Sequence, residues 1–140
     1  MSEKTASVGQ AVAHESAALH VTGTARYTDD IPEPHNTLHA AIGVSTEAHA
    51  ALLNMDLTAV ENAVDVVSVI RAADIPGVND CGPIVDDDPI LAEGVVEHVG
   101  QPLFAVAARS VEAARRAATL GEVSYSPKPA LIDIEQAKRA

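Results

Sequence analysis

The chain has 140 residues, with 20 Asp and Glu against 9 Lys and Arg, so its formal net charge is −11 at pH 7. This excess of negative charge argues against binding to nucleic acid or to an anionic membrane surface, because both require clustered Lys and Arg. The length fits one domain with a single core.

The cysteine content and the N-terminal sequence indicate the compartment. Cys81 is the one cysteine of the chain, which excludes an intrachain disulfide and is typical of a reducing compartment. The N-terminal sequence MSEKTASVGQ has no apolar core of a signal peptide, and the longest apolar runs, 103–108 and 50–53, are far shorter than a membrane span. We therefore expect a cytoplasmic protein.

The N-terminal half is predicted to alternate between short strands and short helices. Residues 1–13 are expected to form a polar lead-in, followed by a turn from Ser16 to Leu19 that Gly23 ends. Aliphatic runs predict strands over 38–44 and 50–57. Thr58 and Glu61 have the spacing of a capping box, which predicts a helix over 59–63.

The middle of the chain combines one well-defined strand with a loop. A β-branched run predicts a strand over 64–70, and a helical turn over 74–77 is expected to stop at its proline. Residues 79–89 have the composition of a loop. Short strands are predicted over 90–92 and 95–99.

The C-terminal part contains the most regular elements. Residues 103–108 predict a core strand, and Ser110 is expected to cap a helix that ends near Leu120, with Gly121 in a left-handed conformation. Further extended segments are predicted over 123–126 and 131–134. Because strands and short helices interleave irregularly, the fold class is predicted to be α+β rather than doubly wound α/β.

Runs of acidic residues are candidate sites for hard metal ions. Asp29 and Asp30 are adjacent, and residues 86–88 form a second acidic run. Calcium loops, however, place their oxygen ligands at alternate positions around a glycine and end in a bidentate Glu. Adjacent Asp residues more often form turns and carry solvated charges, so we interpret both runs as turn-forming loop residues.

The histidines, the cysteine and the glycine turns are weak candidates for chemistry. His35 and His39 are four residues apart, but Pro34 beside them disfavours the helix that would place both on one face as zinc ligands. Cys81 is surrounded by Asp residues, which favour the neutral thiol over a nucleophilic thiolate. The glycine turns lack a phosphate-binding pattern. We therefore predict no catalytic, cofactor or metal site in this chain.

The turn at Gly100 and Gln101 is a candidate structural or interface segment. Pro102 restricts Gln101 to extended geometry, so Gly100 must make most of the reversal, at a positive φ if the turn is tight. The Gln101 amide has donors and an acceptor that could bond the backbone of another segment.

Several strings, taken in their order along the chain, resemble one protein family. The segment VTGTARYTDDIP (residues 21–32) resembles the family opening TG-x-A-x-Y-x-DD-I-P. TLHAAI, STEAHAALLNMDL, AADIPG, DDPILAEG, VGQP, ARSVEAARRAA and VSYSPKPALIDI follow in the same order as in the family. The chain resembles the N-terminal α/β-hammerhead domain of the molybdenum hydroxylases, above all the molybdopterin-binding subunit of bacterial xanthine dehydrogenase. Lys128 departs from the pattern, since the family more often has an apolar residue there.

This resemblance implies one hammerhead domain over 14–140, the first domain of a longer subunit. It implies a parent enzyme of purine catabolism that hydroxylates a purine with oxygen from water and passes electrons through iron–sulfur (FeS) clusters to FAD and NAD. The molybdopterin ligands and the catalytic glutamate of the family lie in downstream domains. The implied partners are those molybdopterin-binding domains and the FeS/FAD subunit, and the implied structural-motif or interface residues are Gly23, Tyr27, Asp29, Asp30, Gly100 and Gln101. The match of VGQP also implies that the segment bonded by Gln101 belongs to a neighbouring domain.

Two other functions remain open at this point. The chain could be a free-standing acidic interaction module with no enzymatic parent, or a metal-binding protein that uses its histidines and aspartates. The length of the reading frame beyond Ala140 distinguishes the first of these, and metal analysis distinguishes the second.

Overall fold

The computed structural model describes residues 9–139, which form two compact units. The first unit ends at His35 and the second begins at Asn36. Of the lead-in predicted for residues 1–13, residues 1–8 lie outside the described residues. Among the described residues, no helix has the length and apolar character required to cross a membrane.

The first unit contains two short helical elements. Helix α1 spans Ala17–Val21, and a 3-10 helix spans Thr28–Asp30. The predicted turn is therefore present, although the Ser16 side chain makes no capping hydrogen bond to α1.

The second unit contains six strands and three α-helices among its described residues. In chain order these are β1 (His39–Val44), β2 (Ala50–Asp56), α2 (Thr58–Glu61), β3 (Val66–Arg71), β4 (Val95–Val96), β5 (Pro102–Ala108), α3 (Val111–Ala118), β6 (Glu122–Pro127) and α4 (Ile134–Ala137). A 3-10 helix, Ala72–Asp74, follows β3. This mixture confirms the predicted α+β class.

The strands form two three-stranded antiparallel sheets. The first sheet has the order β1–β5–β3, and the second has the order β4–β2–β6. In the first sheet Ile42 pairs with Ala105, which in turn pairs with Ile70 on the other side. The central strands β5 and β2 each hold two neighbours from distant parts of the chain.

Helix α3 covers one face of the first sheet, as its alanine content predicts. Ala113 and Ala114 are buried and pack with Ala108 of β5, and half-buried Ala41 of β1 joins this cluster. The Ser110 side chain accepts a hydrogen bond from the Ala113 N–H at 3.2 Å, which confirms Ser110 as the N-cap of α3.

The larger hydrophobic core surrounds Phe104, the one phenylalanine of the chain. Phe104 is 2% exposed and packs among Leu57, Val60 and Leu103. A Cβ atom added at Gly121 would lie 2.7 Å from Cζ of this ring, closer than side-chain atoms pack. Gly121 therefore permits close approach of the ring, and the predicted left-handed conformation is wrong because its φ is not positive.

The start of α2 differs from the predicted capping box. The N-cap is Leu57, and the carboxylate of Asp56 accepts a hydrogen bond from the Thr58 N–H at 2.9 Å. Hydrogen bonds from the Thr58 hydroxyl and backbone lower the pKa of Asp56. Thr58 thus donates to the preceding carboxylate of Asp56 and is not the N-cap.

Two further predictions about local structure are wrong, and a third is wrong at its last residue. Residues 90–92 are not a strand, since Leu91 is buried in a loop held by the side chain of Asn79. The segment predicted as extended over 131–134 leads into α4, which Asp133 caps by accepting from the Glu135 N–H at 2.8 Å. The helical turn predicted over 74–77 lies earlier, at Ala72–Asp74.

Candidate functional site

Gly23 ends α1 in a left-handed conformation. Its φ is +69°, and its N–H donates to the carbonyl of His20 at 3.2 Å, while the Thr24 N–H donates to the carbonyl of Leu19 at 2.9 Å. These two bonds satisfy carbonyl groups that a helix end leaves free. The predicted end of the helix at Gly23 is confirmed, and its geometry is that of a structural turn.

Asp30 stabilises the 3-10 helix that follows. Its carboxylate accepts a hydrogen bond from the Tyr27 N–H at 2.9 Å, and its own N–H donates to the Tyr27 carbonyl at 3.0 Å. The Tyr27 hydroxyl lies 3.2 Å from Nδ1 of His20, so the tyrosine also connects this segment to α1. Asp29, beside Asp30, belongs to the same turn of helix.

The same local structure occurs a second time, in the other unit. Asp74 ends the 3-10 helix after β3, and its carboxylate accepts from the Arg71 N–H at 2.8 Å. Both segments have the sequence Asp-Ile-Pro, residues 30–32 and 74–76. The predictions from the sequence did not include this repetition, although the tripeptide is visible there. The repetition indicates that Asp30 acts as a local cap.

The acidic run 86–88 belongs to a loop whose ends are held by two side chains. The Asn79 amide bonds both backbone groups of Leu91, donating at 2.7 Å and accepting at 3.0 Å. The Asp80 carboxylate accepts from the N–H groups of Gly82, at 2.7 Å, and Asp88, at 3.0 Å. Neither role is predictable from the sequence, because the partners of both residues are known only once the loop is folded.

The His, Cys, Asp and Glu side chains of the described residues form no metal-binding cluster. Between residues 9 and 139, no group of three or more His, Cys, Asp or Glu is arranged to hold a metal ion. Nδ1 of His49 is 2.7 Å from the carbonyl of Pro129, and Nδ1 of His98 is 3.1 Å from that of Val99. These imidazoles thus contact backbone carbonyls.

The environment of Cys81 favours the protonated thiol. Desolvation and the negative charges of Asp88 and Asp80 raise its pKa, and its Sγ lies 3.3 Å from the Asp88 carbonyl, to which it donates. A nucleophilic cysteine requires the opposite environment, one that stabilises the thiolate.

The turn at Gly100 and Gln101 directly precedes β5 and is hydrogen-bonded to Ser45, the residue after β1. Gly100 has φ +86°, so the positive φ expected there is present. Its N–H donates to the Ser45 carbonyl at 2.8 Å, and the Ser45 N–H donates to the Gln101 carbonyl at 2.9 Å. Gly100 and Gln101 therefore lie together at a junction inside the second unit.

The Gln101 side chain also bonds within this unit. It is 5% exposed, and its Oε1 accepts from the Glu97 N–H at 2.7 Å. The acceptor oxygen is therefore used inside this unit, and the expected contact of Gln101 with a neighbouring domain stays a prediction. The sequence pattern VGQP could not show that the partner lies in its own turn.

A surface groove with a volume of about 660 Å³ runs beside β1. Aliphatic side chains line it, with Arg115, Thr46 and Thr119 as the polar members. The lining has no carboxylate, imidazole or thiol to serve as an acid, base or nucleophile. The groove is therefore not a candidate catalytic centre.

Comparison with known proteins gives a consistent family. Residues 22–129 match the family model described as "Aldehyde oxidase and xanthine dehydrogenase, a/b hammerhead domain". The xanthine dehydrogenase of Oryza sativa subsp. japonica is 43% identical over 133 residues, which are 95% of this chain and 10% of that protein. Xanthine dehydrogenase 1 of Arabidopsis thaliana is 44% identical over 134 residues, 96% of this chain and 10% of that protein.

Solved structures show the same similarity. The aldehyde oxidoreductase from Desulfovibrio desulfuricans superposes with a TM-score of 0.81 at 28% sequence identity, over 92% of this chain and 16% of that one. The chain thus spans about a tenth of the length of the curated relatives it matches. With its paired three-stranded sheets and its family match, the chain belongs to the aldehyde oxidase and xanthine dehydrogenase family, of which it is an α/β-hammerhead domain.

Proposed function

We propose that this chain is the hammerhead domain of a larger, molybdenum-dependent xanthine dehydrogenase, in which it supports the fold and takes no part in the chemistry. One observation carries the proposal: two plant xanthine dehydrogenases match 95% and 96% of this chain at 43% and 44% identity, yet the match covers 10% of each. A segment of that size and similarity corresponds to one domain of such an enzyme.

The parent reaction in this proposal is hydroxylation of a purine with oxygen from water. Electrons then pass to FeS clusters, FAD and NAD held by other domains or subunits. The described residues do not fit a molybdopterin site, because the groove beside β1 has an aliphatic lining and no cluster of metal-ligating side chains is present between residues 9 and 139. No step of the reaction is therefore assigned to residues of this chain.

The role left for this domain is to hold a fixed shape within the subunit. The caps at Asp30, Asp74 and Ser110 fix the ends of short helical elements, and the Gly100–Gln101 junction fixes the end of β5 against β1. We propose that its partners are the downstream molybdopterin-binding domains and the FeS/FAD subunit. A cytoplasmic location agrees with the single cysteine.

The test begins with the complete reading frame. We expect it to continue past Ala140 for several hundred residues, and the purified product with its partner subunit to reduce NAD when xanthine is supplied. An aldehyde should be a poorer substrate under the same conditions. A stop codon at this point would support the acidic interaction module, and turnover of aldehydes but not xanthine would place the parent among the aldehyde oxidases.

A second test addresses cofactor binding by this chain alone. The 140-residue protein, purified without a histidine tag, should contain no stoichiometric molybdenum, zinc or other transition metal in elemental analysis, because its His, Cys, Asp and Glu residues lack ligand spacing. Near-stoichiometric metal would contradict this and favour a metal-binding function.

A further inference from the structure

The first sheet has a second face, opposite α3, that is apolar and open. Side chains alternate between the two faces along each strand. Ala41 lies on the face that α3 covers, so its neighbour Ile42 lies on the other, together with its cross-strand partners Ala105 and Ile70. Ile42 is 46% exposed and Ile70 is 41% exposed.

Side chains of different size lie side by side on this face. The central strand contributes small ones, and the edge strands contribute larger ones at the row of Ile42 and Ile70. We call its members the outer trough: Ala40, Ile42, Ser68, Ile70, Ala105 and Ala107.

None of these six residues is charged, although 21% of the chain is Asp, Glu, Lys or Arg. Ala40 and Ile42 also line the groove beside β1, where Arg115 is the charged member. In an antiparallel sheet with one solvated face, that face normally carries polar side chains. An uncharged face with exposed Ile is instead typical of a surface that becomes buried against another layer.

We infer that the outer trough receives the apolar side of a helix from the rest of the same polypeptide. This inference rests on the proposed function, in which the domain is part of a longer subunit. The plant relatives are about ten times longer than the matched segment, since it covers 10% of each, so most of such a chain lies outside it. The small alanine side chains of β5 leave space between Ile42 and Ile70, and the ridge of side chains along a helix fits such a space.

The size of the surface favours this occupant over a second copy of the chain. Independent partners usually bury about 800 Å² on each side, which six mostly small side chains fall well short of. A contact within one polypeptide needs less area, because tethering removes most of the entropic cost of association.

Thiol labelling measures whether the trough is covered. Ser68→Cys, made in a Cys81→Ser background, places a near-isosteric thiol at the open face. Its reaction with a maleimide should be fast in the 140-residue chain and slower by about tenfold or more in the full-length subunit, where the contact must open first. Glu112→Cys, on the exposed side of α3, is the matched control and should react at similar rates in both.

Cross-linking then identifies the occupant. A photoactivatable benzophenone attached at Ser68→Cys of the full-length subunit should link to a helical peptide of the same polypeptide, identified by mass spectrometry. Equal labelling rates in the two proteins, or a link to a second copy or to the FeS/FAD subunit, would overturn the inference. Xanthine turnover by the unlabelled subunit is measured separately. A subunit that turns over xanthine while Ser68→Cys reacts fast contradicts this inference alone. A subunit with a protected trough and no turnover contradicts the proposed function alone.

Discussion

Gly121 illustrates how one side chain in the core restricts distant positions. A Cβ at this residue would lie 2.7 Å from Cζ of Phe104 and 3.2 Å from a methyl group of Leu57. Gly121→Ala should therefore lower the free energy of unfolding by about 1–3 kcal/mol through overpacking, measured by urea denaturation.

A matched control separates packing from backbone strain. Gly94 has φ +76°, and no atom lies within 4 Å of the position that a Cβ would take there, so Gly94→Ala is destabilising through strain alone. Phe104→Leu should partly rescue Gly121→Ala but leave the effect of Gly94→Ala unchanged. If the destabilisation by Phe104→Leu simply adds to that of Gly121→Ala, as it should for Gly94→Ala, the Phe104 ring does not limit Gly121.

The junction at Gly100 and Gln101 gives a prediction opposite to the one the sequence suggested. Gln101→Met keeps most of the buried volume but leaves the Glu97 N–H without its acceptor, so it should destabilise the isolated domain by about 1 kcal/mol. Gly100→Ala should cost about 1–2 kcal/mol because its φ is +86°. Both are measured by chemical denaturation of the 140-residue chain, and a silent Gln101→Met would restore the interface interpretation.

At the scale of elements, α3 depends on alanine where it meets the sheet. Ala114 is fully buried, whereas Ala118 is half-buried and lines the groove beside β1. Ala114→Leu should cost about 1–3 kcal/mol, because the added atoms have no space. Ala118→Leu should cost less, since its side chain can extend into the groove. Thermal unfolding of both variants checks this order, and an unchanged melting temperature for Ala114→Leu would contradict the packing of α3.

The start of α2 should make stability depend on pH. Hydrogen bonds from Thr58 lower the pKa of Asp56 below its usual value of 3.8. A carboxyl with a lowered folded-state pKa stabilises the fold above its unfolded pKa, and this contribution is lost as the pH falls through the folded pKa. Asp56→Ala should therefore unfold at a lower temperature than wild type at neutral pH, with a gap that narrows in acid.

Asp56→Asn provides the control for that experiment. Asparagine keeps an oxygen that can accept from the Thr58 N–H but has no titratable charge. Its deficit relative to wild type should be smaller than that of Asp56→Ala at neutral pH. A gap between wild type and Asp56→Ala that stays constant throughout the acid range would mean that the charge of Asp56 does not contribute.

Across the whole molecule, the sequence predicted the elements whose causes are local. The Ser110 cap, the alanine-rich α3 and the strands near 38–44, 50–57 and 103–108 follow from neighbouring residues, and the structure contains them all. The family resemblance was likewise readable from ordered strings, and the comparisons confirm it.

The features that the sequence did not predict depend on distant partners. Gly121 is explained by Phe104, and the buried loop at Leu91 is explained by the Asn79 amide. The pairing of β1 and β3 with the two sides of β5 likewise joins segments far apart in the chain. Local patterns carry no information on which distant residue will occupy a given space, so these positions required the folded structure.

The position of the hydrophobic core predicts how a chain without residues 1–35 should unfold. Every buried residue of both hydrophobic clusters lies in the second unit, which begins at Asn36. A shortened chain that starts at Asn36 should therefore keep a cooperative unfolding transition, because cooperativity follows from one shared core. Far-ultraviolet circular dichroism during heating measures this, with the 140-residue chain as the reference. A broad, non-cooperative transition for the shortened chain would mean that residues 1–35 are needed to complete the fold.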